Sequence, residues 1–495
     1  MTWQGLPKLS DMRMALIAFA ASLFAYVGSG SVVLDSYDTT PNAYLPASLL
    51  IKGDLGFSPL QAPFMFVWAA EGRQGSVWVD VQRWNQLVPD TDMTVRTFYE
   101  HGFLQFKGPR YFVVPTKRER SGETLFVGTF GPMAGLTAVP VAAAAYAFGS
   151  DLSDPLAAYR AAKWTAALLS AGSVAFVFLT ALAFTSRSRA FALALIYGLG
   201  TCVWALSSQA LWQQTPELFF LSLGVLCMTR GDSGWTRSVA AGLAFSAAAA
   251  CRPTAAIVGL AAGAYLFLAD RRSALLYVLG ALPVLIGLAA YNLYYFGASL
   301  DFGQLTAGAV VAKFKTGSEE LWQTPVWLGA AGLLLSPSRG LLIYTPWLVL
   351  AFAGAYFAWK DERYARLRFL SIAVPALWLP AFVWFDWWGG WTYGYRPIVD
   401  STPLLALLCV PAIDRVWDRP TWRVAFSVAV AWSVFVQILG VEAYTPWAWN
   451  APTIDAKGTI ANIDHPEYRE RLWSFRDWQI GYLIVNFAEA RSAKK

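Results

Sequence analysis

Residues 131 to 149 read GPMAGLTAVPVAAAAYAFG, and whether this stretch crosses a membrane decides on which side every later loop lies. It is apolar and about long enough to cross, but it is mostly Ala and Gly with Pro140 inside, so its insertion energy is weak. The chain around it leaves little doubt about the solvent. Of 495 residues 56% are hydrophobic and 14% charged, with a mean hydropathy of +0.43, well outside the balance of soluble domains.

Long apolar runs with few charges lie near 14–33, 159–184, 190–207, 215–229, 238–251, 253–269, 273–296, 341–359, 367–384, 398–413 and 424–441. Most approach the ~20 residues a helical span needs. The expectation is an all-α polytopic membrane protein of about eleven transmembrane helices. Lys8 and Arg13 precede the first run and small residues follow at Gly28 to Ser31, as in a signal peptide, but the run is long and leads straight into a polar motif.

Basic residues set the orientation. Lys8 and Arg13, Arg187 and Arg189, Arg230 and Arg237, Arg271 and Arg272, then Lys360, Arg363, Arg366 and Arg368, and finally Arg415, Arg419 and Arg423 fall in alternate short connections. The positive-inside rule makes those connections cytoplasmic. A crossing at 131–149 would turn the Arg-rich loops outward, so this segment reads as a juxtamembrane helix in the outer interface. The layout is then a cytoplasmic N-terminus and first span (1–33), a large external loop with juxtamembrane helices (34–158), a helix bundle (159–441) and an external tail (442–495).

Within the external loop, GFLQFKGPRYFVVP reads as a short β-hairpin around Gly108 and Pro109, part of a small mixed element. Lys107, Arg110, Lys117, Arg118 and Arg120 form a basic cluster, read as a solvated face or a contact for lipid phosphates or an acidic glycan. The net charge of +6 is accounted for by loop arginines and needs no nucleic acid. Cys202, Cys227, Cys251 and Cys409 all lie in or beside apolar spans, and His101 and His465 are the only histidines. Zinc-type spacing and a Ser-His-Asp triad are thereby disfavoured. No Walker loop, dinucleotide fingerprint or internal repeat is evident.

The remaining polar residues collect on the outer side. Asp35 and Asp38 follow the first span, where a carboxylate pair at a rigid helix end suits a general base for a hydroxyl or a ligand for a divalent ion; metal dependence stays open. SSQALWQQTPE offers Gln209, Gln213, Gln214 and Glu217, while CRPT, SPSRG and GYRP offer Arg252, Arg339 and Arg396. Isolated guanidinium groups at a membrane surface suit a lipid-linked phosphate, with planar paired donors and a permanent charge.

The order of Asp after the first span, a long external loop, SSQALWQQTP, CRPT, AYNLYYFGASLDFG, LLLSPSRGLLIYTPWL and WWGGWTYGYRPIVDSTPLLALL resembles integral-membrane glycosyltransferases of the GT-C class. Within that class the chain is similar to bacterial protein mannosyltransferase and arabinosyltransferase relatives that use polyprenyl-phosphate sugars. The resemblance runs from about 30 to 415. It implies a bacterial inner-membrane enzyme with an external active site, a polyprenyl-phosphate sugar as donor, and a glycan, lipid or protein of the cell envelope as acceptor. It implies Asp38 or Asp35 as base and Arg252, Arg339 and Arg396 at the donor phosphate. Gln214 stands where those enzymes commonly carry His, and GYRP replaces a more usual GPR.

Residues 384–397, WFDWWGGWTYGYRP, offer Trp387, Trp388, Trp391, Tyr393 and Tyr395 either as flat faces for a sugar or prenyl chain or as an aromatic belt at the outer interface. Asp386, Asp400, Gln213 and Gln214 add orienting hydrogen bonds to substrate, and the glycines allow tight turns. A flippase or transporter for lipid-linked glycans, a polymer ligase using a diphosphate-linked donor, and a noncatalytic scaffold are the competing readings. A transporter would place polar groups or broken helices near the midplane.

Overall fold

The computed structural model describes residues 8–30, 36–70, 77–78, 102, 104–120, 122–229, 234–451, 453–454 and 460–494. Asp35 and His101 lie outside them. The first helix, α1 (Leu9–Val27), is followed by α2 (Thr39–Lys52) and by strands β1 (Phe66–Ala70), β2 (Val77–Trp78), β3 (Leu104–Pro109), β4 (Val113–Arg120) and β5 (Glu123–Gly128). Short helices α3 (Met133–Leu136) and α4 (Val139–Ala147) lead into α5 (Pro155–Ala181), α6 (Arg187–Leu199), α7 (Gln214–Thr229), α8 (Trp235–Cys251), α9 (Ala256–Ala269) and α10 (Arg271–Phe296). After them come α11 (Gly303–Thr316), α12 (Val326–Leu335), α13 (Leu341–Tyr344), α14 (Leu350–Lys360), α15 (Arg368–Val383), α16 (Thr402–Val416) and α17 (Pro420–Ala443). Two short helices, α18 (Gln479–Val485) and α19 (Phe487–Lys494), close the chain.

The described residues are mostly helical, and their apolar helices are compatible with a multi-pass membrane protein. Among the described residues, six helices are long and apolar enough to cross a membrane: Leu9–Val27, Pro155–Ala181, Arg271–Phe296, Glu362–Val383, Arg396–Val416 and Pro420–Ala443. The other five expected positions are also helical, but shorter. The helices α6, α7, α8 and α9 have 13, 16, 17 and 14 residues, and the run at 341–359 breaks at Thr345 and Pro346, where proline removes a donor. Leu260, Leu268, Ile286, Val424 and Val428 are exposed, as lipid-facing positions must be if the bilayer is their solvent.

The segment 131–149 is not one helix. It forms α3 of 4 residues and α4 of 9, and nine residues at 1.5 Å each reach only about 14 Å, half a hydrocarbon core. Phe148 and Tyr146 stay exposed while Ala134, Ala138 and Ala142 are buried, the division expected of a helix lying along an interface.

The expected hairpin at Gly108 and Pro109 does not form. Strand β3 pairs with β1, which also pairs with β2, and β4 pairs with β5, all antiparallel. The apolar demand explains the exchange of partners. Phe66 on β1, Phe106 on β3 and Phe126 on β5 meet with centroids 5.0 to 5.9 Å apart, and a self-folded 104–117 hairpin would separate them. The hairpin turn is instead at Gly122, whose φ of +79° suits glycine. Of the basic cluster, Arg118 donates to the Tyr294 carbonyl at 2.8 Å, anchoring the sheet to the end of α10, and Arg120 pairs with Asp54.

Charged connections gather at one end of the bundle. Arg187 meets Asp11 at 2.6 Å, Arg189 meets Asp414 at 3.0 Å, the Tyr364 hydroxyl donates to Asp414, and Arg366 donates to the Thr229 carbonyl. The helices run from there to the opposite end, where Asp38, Arg252, Arg339 and Arg396 lie. The connections that carry Arg187, Arg189 and Arg366 thus share one end of the bundle.

Small residues let the helices touch. A Cβ on Gly242 of α8 would sit 1.8 Å from the Tyr277 carbonyl oxygen of α10, and one on Gly280 of α10 would sit 2.1 Å from that of Val239. Backbones in such contact leave no room for a side chain. Gly242→Leu should therefore lower the thermal unfolding midpoint of detergent-solubilised protein, with a loss of about 1–3 kcal/mol from overpacking; the same change at Gly287, where a Cβ meets nothing within 4 Å, should be close to neutral.

Candidate functional site

The turn Arg396–Ser401, just ahead of α16, carries the centre of the site. Its first residue, Arg396, gives Nη1 to Asp38 Oδ2 in a direct ion pair and Nη2 to the Gly389 carbonyl at 3.0 Å. The guanidinium lies 4.6 Å from the centroid of the Trp212 ring, a cation–π contact. Four residues on, Asp400 pairs through Oδ2 with Nη1 of Arg252, which also donates to the Pro397 carbonyl at 3.0 Å. One short turn thereby joins the start of α2 to the junction of α8 and α9.

Asp38 is the N-cap residue of α2, so its carboxylate stands at the positive end of a helix. One oxygen is committed to Arg396, and no hydrogen bond reaches Oδ1 among the described residues. The side chain is 15% exposed. The aspartate is thus held in one orientation with one oxygen free, as a positioned base requires.

Unpaired buried polar atoms concentrate here: Trp212 Nε1, Gln213 Oε1, Gln214 Oε1, both Glu217 oxygens, Arg252 Nε, Thr254 Oγ1, Trp391 Nε1, Thr392 Oγ1, Arg396 Nε and Asp400 Oδ1. Folded proteins leave few such atoms without reason, so their gathering marks a place suited to a polar ligand. Close by, Lys163 reaches the Gln209 side-chain oxygen directly and the Ser29 carbonyl at 3.3 Å. A cavity of about 10 Å³, bordered by Thr39, Tyr159, Lys163 and Gln209, separates it from α2.

The expected donor-phosphate residues divide. Arg252 and Arg396 lie in the site, each with a free Nε. Arg339 does not fit the expectation: it is fully buried, and its five N–H groups go to the carbonyls of Trp388, Ser338 and Gly390 and the side-chain oxygens of Gln479 and Asn450. A guanidinium has only five donors, so none is left for a phosphate.

The aromatic loop corrects the reading further. Gly389, Gly390 and Gly394 take φ of +72°, +68° and +55°, as the tight turns require. The rings, however, mostly face inward. Tyr393 is fully buried and gives its hydroxyl to the Val436 carbonyl, and Trp388, 2% exposed, donates to Asp464 at 3.0 Å. Both are packing residues here and present no open face to a sugar. Trp391 stays partly exposed, edge-on to Trp447 with centroids 4.9 Å apart. Asp386, expected to orient substrate, pairs with Lys315 at 2.7 Å. Burial pushes the Asp386 carboxyl up, against the pull of Lys315.

The tail covers this loop. Asp464 shares Lys315 with Asp386, at 2.9 Å. Gln479 accepts from Gly394 N, Tyr344 Oη and Arg339 Nη1 and donates to the Thr392 carbonyl. Sequence reasoning passed over Gln479, Lys315 and Lys163: each is a single polar residue whose partners are more than 40 positions away. Glu217 was visible in SSQALWQQTPE, but only its burial distinguishes it.

No family model matches the chain, and no curated protein matches it. Arg339→Met should test the structural assignment. Removing one partner of so dense a buried network costs about 3–5 kcal/mol, read as a lower unfolding midpoint and faster proteolysis of the 442–494 tail; a variant as stable as wild type would show that the network carries little.

Proposed function

We propose that the chain is an integral-membrane glycosyltransferase of GT-C type that crosses the membrane about eleven times. It would move a sugar from a polyprenyl phosphate to a cell-envelope glycan, lipid or protein on the outer face of a bacterial inner membrane. The observation that carries this reading is the pair of linked ion pairs, Asp38 with Arg396 and Arg252 with Asp400, at the end of the bundle opposite the basic connections. The order of motifs along the chain supports it as well.

In the proposed reaction Asp38 Oδ1 takes the proton of the acceptor hydroxyl, whose oxygen attacks the anomeric carbon opposite the phosphate. The bond from that carbon to the phosphate oxygen breaks, polyprenyl phosphate leaves, and the configuration inverts. Arg396 fixes the base by holding its other oxygen. Arg252, with Nε uncommitted, is the group placed for the charge that develops on the departing phosphate. Trp391 and the side-chain oxygens of Gln213 and Gln214 remain as contacts for the sugar. A donor already activated as a phosphodiester needs no nucleotide site.

The test is release of polyprenyl phosphate by purified protein in detergent, from a panel of polyprenyl-phosphate sugars with and without envelope glycans. One donor should turn over, and Asp38→Asn should slow it by about 10²–10⁴-fold, the usual worth of a general base, in protein shown by its unfolding midpoint to remain folded at the assay temperature. Turnover of no donor by folded protein would reject this reading in favour of a transporter or a ligase with a diphosphate-linked donor.

A further inference from the structure

The exposed face of α10 fixes its depth in a bilayer. Exposed apolar side chains run along it from Leu275 through Leu279, Leu282 and Ile286 to Leu293. At 1.5 Å per residue that stretch covers about 27 Å, close to the ~30 Å of a hydrocarbon core. Arg271 and Arg272 lie beyond one end of it and Tyr294 beyond the other, where phospholipid headgroups begin.

At the Tyr294 end the β4–β5 hairpin supplies two cations. Arg118 gives Nε to the Tyr294 carbonyl at 2.8 Å, and its guanidinium lies 4.1 Å from the centroid of the half-exposed Tyr294 ring. Lys117 reaches the turn that ends the helix: a Cβ on Gly297 would sit 2.9 Å from Lys117 Nζ. The carbonyl end of a helix attracts cations, and capping accounts for Arg118 Nε. It does not account for the rest. Both side chains are exposed, and among the described residues no hydrogen bond or ion pair reaches Lys117 Nζ or the Nη atoms of Arg118. Four N–H groups on a planar fork and an ammonium group are left over.

Neighbouring charges do not use them. Arg120 is engaged by Asp54 and the Lys52 carbonyl, and Arg110 lies over the Tyr111 ring. The hairpin's own carboxylates, Glu119 and Glu123, form no ion pair with Lys117 or Arg118. An anion that meets the remaining donors must sit at the depth of the lipid phosphates. A soluble anion would gain those donors alone, whereas a phospholipid also lays an acyl chain against Leu293, one residue nearer the hydrocarbon.

We propose that Lys117, Arg118 and the Tyr294 ring bind the phosphodiester of an anionic phospholipid, of phosphatidylglycerol type, in the leaflet at this end of α10. The helix carbonyl holds Arg118 in one orientation, so that its paired donors meet two phosphate oxygens, and Lys117 adds the second charge. A zwitterionic headgroup brings an ammonium of its own, which these cations repel. The bound lipid ties the external sheet to the membrane surface. The inference needs α10 to cross a bilayer; it does not rest on the glycosyl-transfer reading.

Native mass spectrometry of the full-length protein counts bound lipids in detergent, titrated with phosphatidylglycerol or with phosphatidylcholine of the same acyl chains. Wild type should hold one phosphatidylglycerol where phosphatidylcholine is not retained. Lys117→Gln with Arg118→Gln should weaken that binding by about tenfold or more. Lys107→Gln, the same loss of charge on β3, should leave it unchanged. Because Arg118 also ties the hairpin to α10, Lys117→Gln alone, which breaks no hydrogen bond, keeps the test independent of folding and should weaken binding about fivefold. Equal retention of the two lipids by wild type overturns the proposal, as does an undiminished preference in Lys117→Gln. Retention of soluble polygalacturonate in place of phosphatidylglycerol would overturn it in favour of an acidic glycan.

Discussion

The five residues Arg396 to Asp400 hold the external region, the bundle and the aromatic loop to one another. Arg396 reaches forward to Asp38 and back to the Gly389 carbonyl, and Asp400 reaches Arg252. Two ion pairs on one turn cannot be adjusted separately: a shift of the backbone that improved one would strain the other. Each pair is partly withdrawn from water, so each is worth having only while its geometry holds. The position of α2, and with it Asp38, is therefore set from the far side of the sequence, more than 350 residues away.

The turn is in turn held by what lies behind it. Its approach, Thr392 to Tyr395, is pinned on one side by Gln479 and on the other by Tyr393 and Tyr395 packed into the bundle. Arg339 binds the carbonyls of Trp388 and Gly390 and ties them to Asn450 and Gln479 of the tail. A loop that bends three times through left-handed glycines has few backbone hydrogen bonds of its own. Its carbonyls need donors from elsewhere, and a buried arginine with five of them is an economical source. The aromatic rings that look like a ligand surface in the sequence are the apolar side of this same arrangement.

How much of this was legible follows from the range of the interactions. Apolar runs and alternating basic loops report on a solvent that acts everywhere along the chain, so the helical positions and the two charged ends could be read directly. At 131–149 Pro140 and the weak apolarity of Ala and Gly pointed to a helix that does not cross, but not to its division into α3 and α4. The gathering of Asp38, Arg252, Arg396 and Asp400 was foreseeable only as a set of outward loops, since nothing local says that Arg396 chooses Asp38 while Arg339 does not. Arg339, Tyr393 and Trp388 turn inward for one reason: a residue type suited to binding a ligand is equally suited to binding the protein's own polar groups. The strand exchange at Gly108 failed similarly, because the phenylalanines that decide it come from three separate segments.

Where the charges stop also bears on function. Inside the bundle the buried polar side chains are largely hydroxyls that return a hydrogen bond to their own helix, such as Thr165 to Ala161, Ser222 to Leu218, Thr229 to Val225 and Ser433 to Ala429. Such groups cost a helix little and offer nothing to a passing solute. The buried ionisable side chains of the site, Glu217, Arg252, Asp400 and Lys163, instead lie at or within about three turns of helix ends, on the side that also holds Asp38 and Arg396. A transporter must offer its substrate a polar site near the midplane, reachable from both faces. Among the described residues the group of charged side chains is carried instead by helix ends and loops: Asp38 at the start of α2, Arg252 after the end of α8, and Arg396 and Asp400 on the turn before α16.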